Sequence, residues 1–153
     1  MIISASGRSR AVAPAATHHM RAWLWLVGAL ALHVVDEALT GFLAFYNPLI
    51  ADIRSQLGWF PIPRFTFGVW IVGLAVLVLV LAVLAPAVRR GAFGTRVASW
   101  VFSLIMFGNG WAHLLGSAYF QRWIPGATTA PLLLVTSVLL AHATWQRRTS
   151  TGR

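Results

Sequence analysis

Four stretches of this chain are long and apolar enough to cross a bilayer, and that restricts the fold more than any other feature. They cover residues 22–46, about 66–85, about 97–120 and about 128–145. A hydrocarbon core of about 30 Å needs about 20 such residues per helix. Lipid offers no hydrogen bonds, so a spanning segment must satisfy its backbone internally, as a helix does. Only 10% of the residues are charged and 58% are hydrophobic, against about 25% charged in soluble domains. The expected fold is all-α, an integral-membrane four-helix bundle. Orientation follows from arginine. The tails and the second loop carry Arg8, Arg10, Arg21, Arg89, Arg90, Arg96, Arg147, Arg148 and Arg153, whereas the first and third loops carry only Arg54, Arg64 and Arg122. This asymmetry places both termini in the cytoplasm.

Composition also removes function classes. Cysteine is absent, which excludes disulfides, thiol catalysis and thiolate-bound metals. Every basic residue is arginine, so no lysine can form a Schiff base. The net charge of +9 is spread over short loops and tails. It fits topology and contact with anionic lipid headgroups better than nucleic acid, and no nucleic-acid partner is expected. Residues 1–20 lack the apolar core of a secretory signal and read as a disordered tail. Met20 before Arg21 is as good a start as Met1, and His18-His19 reads as incidental. The membrane domain then spans 21–148, with 149–153 a short tail. In the first loop, Asn47-Pro48 looks like a helix start. Leu49, Ile50, Ile53 and Leu57 follow at helical spacing, and Gly58 is a stop. This segment and the apolar 59–63 read as a surface anchor or a lid, with Asp52 on its solvated face.

The first span carries a polar stripe. His33, Asp36, Glu37 and Thr40 lie three and four residues apart, on one helical face. Asp36 and Glu37 are two of only three acidic residues in the chain. An acid at mid-bilayer costs about 2.5–3.5 kcal/mol, so the pair calls for compensation. The third span has Asn109 and His113, spaced by four. Both spans run in the same direction. Counting about 1.5 Å per residue from their cytoplasmic ends brings the two stripes to the same depth within about one turn. His33, Asp36, Glu37, Asn109 and His113 are therefore one candidate site.

These side chains are ligands for a borderline or hard divalent metal such as zinc, iron or manganese. His33, Glu37 and His113 would bind it, leaving positions open for water or substrate. Asp36 would be a second ligand or orienter, and Asn109 a polar positioner. Without metal, Asp36, Glu37 and the histidines could act as general acid and base. The plain alternative is interhelical hydrogen bonding, at about 0.6 kcal/mol per contact. That reading suits Asn109 alone better than two adjacent acids. His142 reads as structural or interfacial.

The segments HVVDE, NGWAH and WIPGATTA resemble the HXXEE-domain family of small bacterial and archaeal membrane proteins. His33 and Glu37 match its HxxEE motif, and Asn109 and His113 its NxxxH motif. Pro125, Gly126, Thr129 and Ala130 match a Y-x-P-G-x-x-T-A-like segment. Asp36 stands in place of the first glutamate. Trp123 stands in place of tyrosine, and Tyr119, one turn earlier, is a candidate substitute for the lost hydroxyl. The resemblance implies a multi-pass protein of a bacterial or archaeal cell membrane, in a family of uncharacterised activity. His33 and Glu37 also resemble, over one short motif, the His and Glu of emopamil-binding-type sterol isomerases, which use a buried acid to protonate a lipid double bond. Thr129 is placed in the first turn of the fourth helix. Its exposed amides could cap the helix or hold an anionic or carbonyl group.

Three functions remain open on the sequence. The first is a membrane-embedded enzyme, a metal-dependent hydrolase or an acid/base isomerase, acting on a lipid or small apolar substrate. The second is a proton- or ion-coupled transporter, which at four helices would need to form a homo-oligomer. The third is a structural or accessory membrane subunit.

Overall fold

A computed structural model describes residues 6–151, with side chains described for 16–147 apart from Phe93. Among the described residues the regular structure is entirely helical. The helices are α1 (Ser6–Thr40), α2 (Phe42–Leu57), α3 (Phe67–Val83), α4 (Ala85–Arg90), α5 (Phe93–Tyr119) and α6 (Ala130–Thr151). The most extensive packing is of α6 against α5 and against α1, while α3 and α4 lie on α1. Of the four spans expected from the sequence, two fall in described helices long and apolar enough to cross a membrane by length and composition, Ala16–Thr40 and Phe67–Arg90.

Side-chain bonds fix the helix directions. At one end His33 of α1, His113 of α5 and Thr129, at the start of α6, meet. At the other end His19 of α1, Ser99 of α5 and Thr144 of α6 meet. Hence α1 and α5 run in parallel and α6 runs against both. Trp23 donates to the Leu81 carbonyl at 2.8 Å near the second end, and Phe42 stacks on Trp70 near the first, so α3 also opposes α1. The seam is apolar and closed: Trp23, Leu26, Leu133 and Leu140 are fully buried. Cutting such a leucine to alanine in a packed seam costs about 2–5 kcal/mol.

Two boundaries differ from the sequence reading. The first span ends at Thr40 rather than residue 46, because Gly41 takes a left-handed conformation with φ 78° that favours glycine. Helix α2 therefore starts at Phe42, five residues before Asn47, and carries Pro48 inside it. Asn47 does not cap a helix. Its amide donates to the Phe65 carbonyl at 2.9 Å and accepts from the Phe65 N–H at 3.1 Å. It thereby ties α2 to the strap before α3. Arg54 holds that strap too, through the carbonyls of Phe60 and Ile62. Asp52 is exposed, as expected, and accepts from Gln56 at 3.1 Å.

The N-terminal segment is the larger correction. Of the segment 1–20 read as a disordered tail, residues 1–5 lie outside the described residues, as do 152–153 of the C-terminal tail; over the described part α1 is continuous from Ser6, and α6 runs to Thr151. Nor is His19 incidental, since it has no exposed surface. Its Nε2 meets Ser99 Oγ at 3.0 Å and Thr144 Oγ1 at 3.1 Å, and its Nδ1 meets Arg147 at 3.2 Å. Only the Arg147 side can donate to Nδ1, which leaves the proton on Nε2. Arg147 is itself buried and donates to the carbonyls of Val88 and Arg89 at 2.6 and 2.7 Å. Those carbonyls close α4, where a cation is favoured. One buried network thus joins α1, α4, α5 and α6.

Candidate metal centre

The stripe on α1 divides between two tasks. Residues 33 and 37 lie one turn apart and face α5, where His113 stands one turn beyond Asn109. The Nε2 atoms of His33 and His113 are 3.3 Å apart. Glu37 Oε1 lies 3.3 Å from His113 Nε2 and 3.6 Å from His33 Nε2. All three residues are at most 5% exposed. Together they form a buried group that could hold a metal ion.

The outer hydrogen bonds determine what this triangle presents. The Nδ1 of His113 faces the Pro125 carbonyl at 2.7 Å. A carbonyl only accepts, so the proton of neutral His113 is on Nδ1 and its Nε2 is a bare lone pair. For His33, Nδ1 lies 2.8 Å from Thr129 Oγ1. That hydroxyl donates to Asp36 Oδ2 at 2.9 Å, so it accepts from His33 and leaves the second Nε2 bare as well. Two lone pairs and a carboxylate oxygen converge, and each imidazole is turned inward by a bond on its far side. A carbonyl behind His113, and a carboxylate acting through a hydroxyl behind His33, are outer partners of the kind that orient metal ligands. Tetrahedral coordination with bonds of about 2.0–2.1 Å sets ligand atoms about 3.3–3.4 Å apart, close to the three edges seen here.

Asp36 does not join the triangle. It is partly exposed and points to the start of α6, accepting from the Thr129 N–H at 3.1 Å as well as from its hydroxyl. The α6 N-terminus therefore does hold an anion, and that anion is Asp36 of the same chain. Thr129 precedes the helix, and its carbonyl accepts from Leu132 and Leu133. The Asn109 amide reaches His33 Nε2 at 3.2 Å, so it borders the triangle. Thr40 lies outside it and bonds back to the Asp36 carbonyl. His142 is exposed and bonded to Gln146.

Three contributors escaped sequence reasoning. The Pro125 carbonyl sets the His113 tautomer, and no side-chain pattern could announce it. Phe42 sets its ring 6.1 Å from that of His113, brought there by the bend at Gly41. Gly126 has φ 84°, and a Cβ on it would lie 2.6 Å from His113 Cε1 and 2.9 Å from His33 Cε1. The glycine in the P-G-x-x-T-A segment was the available signal. Tyr119 does not replace the missing tyrosine hydroxyl, being 82% exposed. The Trp123 N–H instead donates to Thr128 Oγ1 at 3.1 Å.

No curated protein and no solved structure matches this chain. Residues 23–141, which contain every group of the triangle and its hydrogen-bonded surround, match the family described as protein of unknown function with HXXEE motif, and the chain belongs to that family.

Proposed function

We propose that His33, Glu37 and His113 bind a divalent metal ion in a membrane-embedded enzyme acting on a lipid or other apolar substrate. One observation carries the reading: two imidazole lone pairs and a carboxylate oxygen converge within 3.6 Å in a buried space. Such a set repels itself unless a proton or a metal cation lies among it, and the Asn109 amide donates to only one of the three. Zinc, iron and manganese accept this mixture of nitrogen and oxygen donors. A bound ion there would supply Lewis acidity and a water activated near neutral pH. Hydrolysis is the reaction class that a two-histidine, one-carboxylate zinc centre supports, and oxidation the class for iron. The chain's own part is to hold the ligands, fix their tautomers and exclude bulk water.

The apolar substrate follows from the surroundings. Phe42 beside His113 also lines a cavity of about 310 Å³ with Tyr46, Phe65, Val69, Trp70, Gly73 and Leu74. This aromatic wall suits an acyl or prenyl chain. The membrane setting is supported by α3, where Val69, Val72, Val76, Leu79, Val80 and Val83 are each at least half exposed. A water-soluble monomer rarely leaves so large an apolar face open. Exposed aromatic rings occur near both ends of the helices, Trp59, Tyr119 and Trp123 at the site end, Trp25, Trp100 and Trp145 nearer the other. Interfacial belts have this distribution. We read α1, α3, α5 and α6 as four spans of a bacterial or archaeal cell membrane, with both termini cytoplasmic and the site toward the outer face.

Elemental analysis of detergent-purified protein tests the metal. Near-stoichiometric zinc, iron or manganese in wild type, lost in both His33→Ala and Glu37→Ala, is the expected result. Wild type that takes up none of these ions after reconstitution would overturn the proposal.

A further inference from the structure

The Asn109 side chain has two ends of nearly equal size, and only one suits a triangle that contains a cation. In the structure its Nδ2 group donates to His33 Nε2 at 3.2 Å. That bond uses the lone pair that Thr129 and Asp36 leave bare on His33. A metal ion claims the same lone pair, and the amide hydrogens then face a cation. Half a turn about the last side-chain bond replaces Nδ2 with Oδ1 at almost the same place. An oxygen there would sit about 3.2 Å from His33 Nε2, comparable with the 3.3, 3.3 and 3.6 Å edges of the triangle. That separation from His33 is the one expected between two donors on one tetrahedral ion.

We infer that Asn109 is the fourth ligand of the metal centre, bound through its amide oxygen. The inference rests on the metal reading above and goes further, because it makes the resting centre closed, with two histidines, one carboxylate and one amide. An amide oxygen is neutral and hydrogen-bonding, so it is the weakest of the four donors. Water or a substrate carbonyl can displace it while the other three hold the ion. Asn109 is also only half-buried, unlike His33, Glu37 and His113, so the displaceable ligand is on the accessible side of the centre. Its amide hydrogens, freed from His33, then become donors for the oxygen that takes its place.

The test uses purified full-length wild type, Asn109→Leu and Asn109→Asp, titrated with Zn²⁺ and Co²⁺ against a chelator. Leucine matches asparagine in shape and removes both polar ends. Asn109→Leu should bind Zn²⁺ about tenfold or more weakly, with its metal-free melting temperature close to wild type. Asn109→Asp, which keeps an oxygen in place but cannot donate to His33, should bind at least as tightly as wild type. The visible bands of bound Co²⁺ report the donor set directly and should differ among all three proteins. A purely positioning Asn109 would give the same Co²⁺ bands in each, and that result, or wild-type affinity in Asn109→Leu, overturns the inference while leaving the metal centre intact. Wild type that binds neither ion overturns both.

Discussion

Asp36 and Thr129, ninety-three positions apart in sequence, are joined twice: the Asp36 carboxylate accepts the Thr129 hydroxyl at 2.9 Å and its backbone N–H at 3.1 Å. The same hydroxyl accepts from His33 Nδ1 at 2.8 Å. One carboxylate therefore closes the start of α6 and, through a hydroxyl, sets which nitrogen of His33 faces the triangle. The second acid of the first motif is a metal-ligand candidate, while the first acts behind a ligand.

This division predicts different outcomes for the two acids. Glu37→Gln should abolish stoichiometric metal. Asp36→Asn should keep it but weaken affinity by about 10–100-fold, the usual effect of losing an outer hydrogen-bond partner. Asp36→Glu restores the acid that the HxxEE motif has at this position and should fall between Asp36→Asn and wild type. Chelator-competition titrations on the three variants decide this. Equal loss in Asp36→Asn and Glu37→Gln would mean that Asp36 is itself a ligand.

Gly126 provides a steric test. Its φ of 84° already disfavours any side chain, and the two imidazoles leave no room for one. Gly126→Ala should therefore push both rings apart and lose metal, with a drop in melting temperature equivalent to about 1–3 kcal/mol. Gly116→Ala is the comparison. There the new methyl meets only Ile124 Cδ1, the end of a flexible side chain, so metal content should match wild type. Metal retained in Gly126→Ala would show that the rings need not be held so closely.

How much of this was legible beforehand depends on what each residue does. The spacing of His33, Glu37, Asn109 and His113 gave both faces and their common depth, because helical geometry alone relates residues three and four apart. Asp36 lies on the same stripe, and its turn toward α6 depends on where Thr129 stops the incoming loop, which no periodicity records. The break at Gly41 was hidden by the apolar residues on either side of it. His19 was discounted because its partners, Ser99, Thr144 and Arg147, lie 80 to 128 positions away.

The His19–Arg147 network should govern stability without touching the metal. Arg147 is buried, yet an arginine stays charged and must keep its acceptors. Arg147→Met leaves the Val88 and Arg89 carbonyls without these donors, a cost of about 1–3 kcal/mol. Thermal unfolding in detergent should show that loss, and elemental analysis should show unchanged metal. A metal deficit in Arg147→Met would instead reveal coupling between the two ends. Gly91→Ala should mimic the change in milder form, since its Cβ would meet the Arg147 guanidinium.

Membrane orientation can be read with single cysteines, because the chain has none of its own. Arg89 lies at the arginine-rich end, beside the Arg147 network, while Arg122 follows α5 at the end that holds the triangle. Both side chains are exposed. In intact cells a membrane-impermeant maleimide should label Arg122→Cys and leave Arg89→Cys unreacted until the cells are opened. The reverse pattern would put the centre near the cytoplasmic face and reverse the reading drawn from arginine counts. Labelling of both in intact cells, with the protein folded, would remove the four-span reading. The exposed valines of α3 would then need a protein partner in place of lipid.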